Sequence, residues 1–280
     1  MGAALFSGKA IIVKLCYRHG VDAVTVLMLR MLFALPLFVA LSWWGSRGNP
    51  PLSRRDWLAL FRLGFFGYYL SAYLDFCGLN YIGASLERLV LYLYPTFVLA
   101  LSALLFGARI TPLQWMSLAV SYAGVALVFG QDLSTSGPHV VLGSSLVLAS
   151  AVSYAVFLVL SDAGIRRLGG VRVTGIATSI ACLLCILQFI ILRPVSTMSI
   201  PGAVIELSVL NAILCTFLPV LLVMLAIERV GAPVVAQIGS IGPISTVFLS
   251  ILVLDEPFTT SLAAGTALVL LGIWLLARWR

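Results

Sequence analysis

The chain has 280 residues, of which 61% are hydrophobic and only 10% charged, and its mean hydropathy is +1.12. A soluble domain is about 45–50% apolar and roughly 25% charged, so one compact core could not bury this excess. A water-soluble enzyme is therefore excluded, as is a disordered chain, which would be poor in apolar residues. Seventeen Lys+Arg against ten Asp+Glu give a net charge of +7. Because the basic residues stand singly or in pairs at the ends of apolar runs, they read as topology signals for a bilayer. Nucleic acid is not an expected partner.

At about 20 apolar residues per crossing, the chain has room for ten spans and for no separate aqueous domain. In order they are Ala3 to Tyr17, Val24 to Trp44, Trp57 to Leu79, Ala84 to Phe106, Trp115 to Gly130, Val141 to Ser161, Val173 to Leu192, Val204 to Ile227, Ala232 to Leu254 and Ser261 to Ala277. None alternates with period two, so they are helices and not barrel strands. The first is short for a 30 Å hydrocarbon layer. That implies either a tilted, partly solvated helix or a longer native N-terminus. Lys9 and Lys14 interrupt it, so it is not a cleaved signal peptide.

Loop charge sets the orientation. With the N-terminus inside, the inner loops and tail carry Arg47, Arg54, Arg55, Arg109, Arg166, Arg167, Arg172, Arg229, Arg278 and Arg280. The outer loops carry only Arg18 and Arg193, with Asp22, Asp132, Asp255 and Glu256. The bias places both termini in the cytoplasm.

The two halves repeat. A gapless shift of 148 lays Gly78–Val125 on Ala226–Ile273, matching Gly83 with Gly231, Ala84 with Ala232, Pro95 with Pro243, Thr111 with Thr259 and Gly124 with Gly272. Residues 1–133 and 141–280 thus read as two five-helix repeats. Five being odd, the copies are inverted, as in secondary transporters whose substrate site lies at the repeat interface. The expected fold is an all-α integral membrane protein of ten transmembrane helices in two inverted repeats.

Several stretches resemble the EamA family of the drug/metabolite transporter superfamily. They are Leu29-Arg30-Met31-Leu32-Phe33-Ala34, Tyr73-Leu74-Asp75-Phe76, Leu86-Glu87-Arg88-Leu89 through Tyr94-Pro95-Thr96, Thr111 to Val128, and Asp255-Glu256-Pro257. Within the family the chain is most similar to bacterial aromatic amino-acid exporters. It departs in one place: where the family commonly has Glu after the Gly closing the fourth helix, Ala108 follows Gly107, while Glu256 holds the matched position in the second half.

Charges inside the spans are costly, roughly 2.5–3.5 kcal/mol each at the centre of a lipid-exposed helix. They should pair or face a wet cavity. Lys9, Lys14, Arg30, Asp75, Glu87 and Arg88 are such residues, and helix directions place all but Lys9 in the outer half of the membrane. The second repeat has instead Gln188, Asn211, Gln237 and Ser240. This reads as an outer gate organised by charge against an inner closure organised by packing. The competing reading is that these residues only clip helices together. Pro95 and Pro243 stand as hinges for alternating access or as static kinks. Tyr73, Tyr92 and Tyr94, in an aromatic-rich third and fourth helix, could wall a cavity for an aromatic or apolar solute, or simply pack. Helical spacing puts Arg88 and Tyr92 on one face and Glu87 and Tyr94 on the next. Small-residue faces (Ser117, Ser121 and Gly124; Ala263, Ala267 and Gly272) suit close packing within the bundle or between protomers.

Other chemistry lacks its residues. Cys182 and Cys185 form a CxxC with neither a further Cys nor a His nearby to complete a metal site. His19 and His139 lie in loops, and no P-loop or HExxH occurs. No cofactor or metal is expected. The expectation is a secondary exporter of small metabolites, aromatic or apolar amino acids foremost, working as a monomer or weak dimer. The basic excess among in-span charges, four against two, suits solutes bearing a carboxylate. Proton coupling through Asp75 or Glu87 stays open, as do the rival readings of a channel-like facilitator and a lipid-handling or intramembrane enzyme.

Overall fold

The computed structural model describes residues 2–107, 111–193, 200–222 and 241–278, and among these every regular element is a helix. The elements are α1 (Gly2–Arg18), α2 (Ala23–Ser46), α3 (Arg54–Leu63), α4 (Ser71–Leu79), α5 (Ala84–Leu91), α6 (Tyr94–Phe106), α7 (Pro112–Ser136), α8 (His139–Leu168), α9 (Gly170–Leu192), α10 (Gly202–Ala212), α11 (Ile241–Leu254) and α12 (Thr260–Arg278). A π-helical segment, Gly64–Leu70, joins α3 to α4, and a second, Ile213–Phe217, continues α10. Six helices are long and apolar enough to cross a membrane: Ala23–Ser46, Ala84–Phe106, Pro112–Ser136, His139–Ser161, Gly170–Leu192 and Gly202–Leu222. Shorter apolar helices cover Gly242–Leu254 and Thr260–Leu275.

Side chains next to the helix ends fix where they begin. Asp22 accepts the Thr25 N–H at 2.7 Å to start α2. Ser53 with Asp56, and Thr111 with Gln114, form reciprocal capping boxes for α3 and α7. Thr259 accepts the Leu262 N–H at 3.2 Å in the first turn of α12. The span expected from Ala84 to Phe106 is broken at Tyr92–Leu93. Pro95 has no N–H for the Leu91 carbonyl, and the chain restarts as α6 with the proline in its first turn, where a missing donor costs nothing. The expected mid-helix hinge at Pro95 thus coincides with a two-residue turn, Tyr92–Leu93, inside one membrane-long helical span. Pro243 is the third residue of α11, and the chain immediately before that helix lies outside the described residues.

Two seams dominate the packing, α2 along α9 and α7 along α12. The second depends on glycine: a Cβ at Gly124 would stand 2.6 Å from the Gly265 carbonyl oxygen, so only hydrogen lets these backbones meet. Ser117 Oγ donates to the Gly272 carbonyl at 2.5 Å across the same seam. The small-residue face of α7 is therefore spent within the bundle. On α12 the seam runs through Leu262, Gly265, Val269 and Gly272; Ala263 is half-buried and Ala267 exposed, one step round the helix. The largest apolar cluster gathers α1, α2, α4, α9 and α10 around Phe38 and Phe76, with Cys182 and Cys185 inside it. Cys182 Sγ lies 3.6 Å from Met31 Sδ, a packing contact.

Candidate functional site

Of the charges expected inside the membrane, three meet directly. Lys9 on α1 forms an ion pair with Asp75 on α4, and its Nζ also reaches Glu87 Oε1 on α5 at 3.5 Å. Their side chains are 6%, 2% and 0% exposed, so one ammonium is shared by two carboxylates out of water. Asp75 Oδ1 and Glu87 Oε2 are buried with no hydrogen-bond partner among the described residues. Such a cluster is costly unless paired, and removing its single cation would strand both acids.

Two buried arginines extend the cluster toward the second half of the chain. Arg88 Nε donates to Thr246 Oγ1 at 2.8 Å, and its Nη2 to the Phe6 carbonyl at 3.1 Å. The Gly242 carbonyl, at the start of α11, accepts from Thr246 Oγ1 at 3.1 Å and from Ser7 Oγ at 3.0 Å. Arg30 Nε donates to Thr216 Oγ1 at 2.7 Å, and its guanidinium lies 5.2 Å from the centre of the Phe76 ring. Thr216 belongs to the second π segment and passes its own proton to the Asn211 carbonyl at 2.9 Å. A π-turn shifts the backbone ladder by one residue, and here a hydroxyl uses the carbonyl so exposed. Both guanidiniums therefore bind neutral oxygens in the described residues, and Arg30 Nη1 is buried without a partner.

The aromatic side chains form a second feature. Tyr92 and Tyr94 flank the α5–α6 break with ring centres 6.2 Å apart. From Tyr94 the contacts continue edge-on to Tyr154 on α8 at 5.4 Å, to Phe157 at 5.7 Å and to Tyr68 at 5.1 Å. This row lies against a small apolar cluster that includes Leu60, Leu63 and Ile176.

The arrangement departs from the sequence expectation in several places. Lys9, and not Lys14, joins Asp75 and Glu87; Lys14 is half-buried on the same helix and makes no ion pair with the described residues. Arg30 is held apart by Phe76 and α10. Tyr73 is half-buried on α4 and outside the row of rings. Glu87 and Tyr94, seven residues apart, lie in α5 and α6 on either side of the Tyr92–Leu93 turn. Gln237 and Ser240 lie outside the described residues. Thr216, Thr246, Tyr154 and Phe157 were not anticipated. The signal for the last two is two aromatic residues three apart in the middle of a long apolar run.

An all-helical, multi-pass membrane protein with a dry ion cluster between helices is the architecture of a transporter, and comparison with known proteins agrees. The chain matches the EamA-like transporter family over residues 1–130 and again over 141–278, and it belongs to that family. It is 30% identical over 273 residues to the uncharacterized transporter YcbK of Bacillus subtilis (strain 168), covering 91% of this chain and 84% of that one. It is 27% identical over 259 residues to the uncharacterized transporter sll1319 of Synechocystis sp. (strain ATCC 27184 / PCC 6803 / Kazusa), covering 90% and 78%. A solved crystal structure superposes with a TM-score of 0.66 at 21% identity, over 99% of this chain and 96% of the other. That likeness is one of fold.

Proposed function

We propose that the protein is a secondary transporter that exports small metabolites, aromatic or apolar amino acids foremost, by alternating access of two inverted five-helix repeats. The observation that carries the reading is the register of the elements. Advancing the first half by 148 residues lays the first residue of α3 on that of α10, the last of α6 on that of α11 and the first of α7 on that of α12. The same shift sets the π segment Gly64–Leu70 over Ile213–Phe217 and the left-handed Gly107 (φ 65°) over Asp255 (φ 59°). Each of the two closest seams, α2–α9 and α7–α12, joins a helix to its own counterpart 148 residues on. Unusual local geometry repeated at a constant spacing supports duplication, and ten spans in two copies of five make that duplication inverted.

We assign the ion cluster and the row of aromatic rings to the substrate path between the repeats. Lys9, Arg30 and Arg88 would favour a carboxylate-bearing solute, and Tyr92, Tyr94 and Tyr154 an aromatic or apolar side chain. Asp75 and Glu87 are the groups through which a proton gradient would act. We place the protein in the bacterial inner membrane with both termini in the cytoplasm, acting as a monomer or weak dimer.

The test is flux of radiolabelled amino acids into proteoliposomes, with and without a proton gradient. Saturable, competitively inhibited flux of an aromatic amino acid is expected. A folded protein that moves no amino acid would remove the substrate assignment. Non-saturable flux would favour a channel, and conversion of the solute an enzyme.

A further inference from the structure

We propose that Glu256 is a latch that holds the outer end of the transporter closed. The inference rests on the inverted-repeat reading above. Glu256 follows α11 in the second half, yet its carboxylate caps α5 of the first half. Oε1 accepts the Ala84 N–H at 2.6 Å, and Oε2 accepts the Ser85 N–H at 3.2 Å and the Ser85 hydroxyl at 2.6 Å. These donors are the otherwise unpaired amides at a helix start, where the helix dipole also favours an anion.

The turn is shaped for this reach. Asp255 adopts φ 59°, which ends α11 and turns Glu256 back so that its own N–H meets the Ser250 carbonyl at 3.2 Å. Ser250 Oγ in turn lies 2.6 Å from Ser85 Oγ. Gly83 leaves the carboxylate its space, since a Cβ there would stand 2.9 Å from Glu256 Oε1. Arg18, the last residue of α1, donates to the Leu254 carbonyl at 2.6 Å and grips the same turn from the other side. The Glu256 carboxylate, Ser250–Ser85 and Arg18 bonds join the two halves at one end of the molecule, so that end cannot open without breaking them.

The shift of 148 places Ala108 at the position of Glu256, directly after a left-handed Gly107 that matches Asp255. The matched position in the first half therefore carries no carboxylate in its sequence. The cap's charge-assisted bonds exist only while this end is closed, so they bias the resting population toward the outer-closed state.

The test measures populations without any substrate. Spin labels at Asn80→Cys and Thr260→Cys, on a Cys77→Ala background in nanodiscs, report the outer separation by electron double resonance. Glu256→Gln is expected to raise the ratio of long to short distances about tenfold, the effect of one charge-assisted bond. Ser85→Ala, a milder change that keeps the fold, should raise it several-fold. Two populations that neither variant shifts would overturn the latch and leave alternating access standing. A single unchanging distance in every variant would overturn both.

Discussion

Lys9 is the residue on which the ion cluster depends most, because it is the only cation in direct contact with either buried carboxylate among the described residues. Replacing it with methionine keeps the length of the side chain and leaves Asp75 and Glu87 facing each other uncompensated. Breaking a buried pair in this way costs about 3–5 kcal/mol. Asp75→Asn keeps the Lys9–Glu87 pair and leaves one acid for one cation, so its cost should be well under half of that. Thermal unfolding in detergent should therefore rank wild type above Asp75→Asn and Asp75→Asn far above Lys9→Met. Equal losses for the two variants would show that Lys9 is not shared. The same reasoning separates Arg30 from the cluster: its contacts are Thr216 Oγ1 and the Phe76 face, so Thr216→Val should destabilise the α2–α10 contact without altering Lys9, Asp75 or Glu87.

At the scale of elements, the α7–α12 seam can be tested against the residue beside it. Gly265→Leu forces a side chain into the Gly124 backbone and should lower the melting temperature by several degrees, the overpacking penalty being about 1–3 kcal/mol. Ala267→Leu adds one carbon fewer, on the exposed face of α12, and should change stability by less than about 0.5 kcal/mol. Equal effects would mean that the seam runs elsewhere. Helix positions were legible in the sequence because apolar runs and their caps are local signals: Asp22, Ser53, Thr111 and Thr259 each sit directly before a helix. The break at Tyr92–Leu93 was not, since Pro95 permits either a kink or a stop and only tertiary packing chooses. The site was legible by residue type and not by pairing. Asp75 and Glu87 could be picked out as costly charges, but that Lys9 serves both depends on the rotation of α1 about its axis. Helix rotation is set by neighbours, as it is for Thr246 and Thr216, whose hydroxyls gain meaning only once an arginine from the other half reaches them.

At the scale of the whole molecule, the two ends carry different chemistry. One end joins Asp22 to Arg193, Arg18 to the Leu254 carbonyl and Glu256 to the start of α5. The other joins Arg167 to Asp56 and Arg172 to the Pro50 carbonyl, and leaves Arg54 and Arg55 exposed. The loops that meet at each end are the ones a ten-span chain would bring to the same side, so the contacts and the charge bias point to one orientation. The proposed orientation puts the arginine-rich end in the cytoplasm. On a Cys77→Ala background, Asn49→Cys should resist a membrane-impermeant maleimide in intact cells and react after permeabilisation, whereas Ser136→Cys should react in intact cells. Both positions are exposed in the fold, so protection can come only from the bilayer. The reverse pattern would invert the protein and, with it, turn the Glu256 latch from an outer closure into an inner one. Labelling of both positions in intact cells would mean a mixed insertion, which a charge bias this strong should not permit.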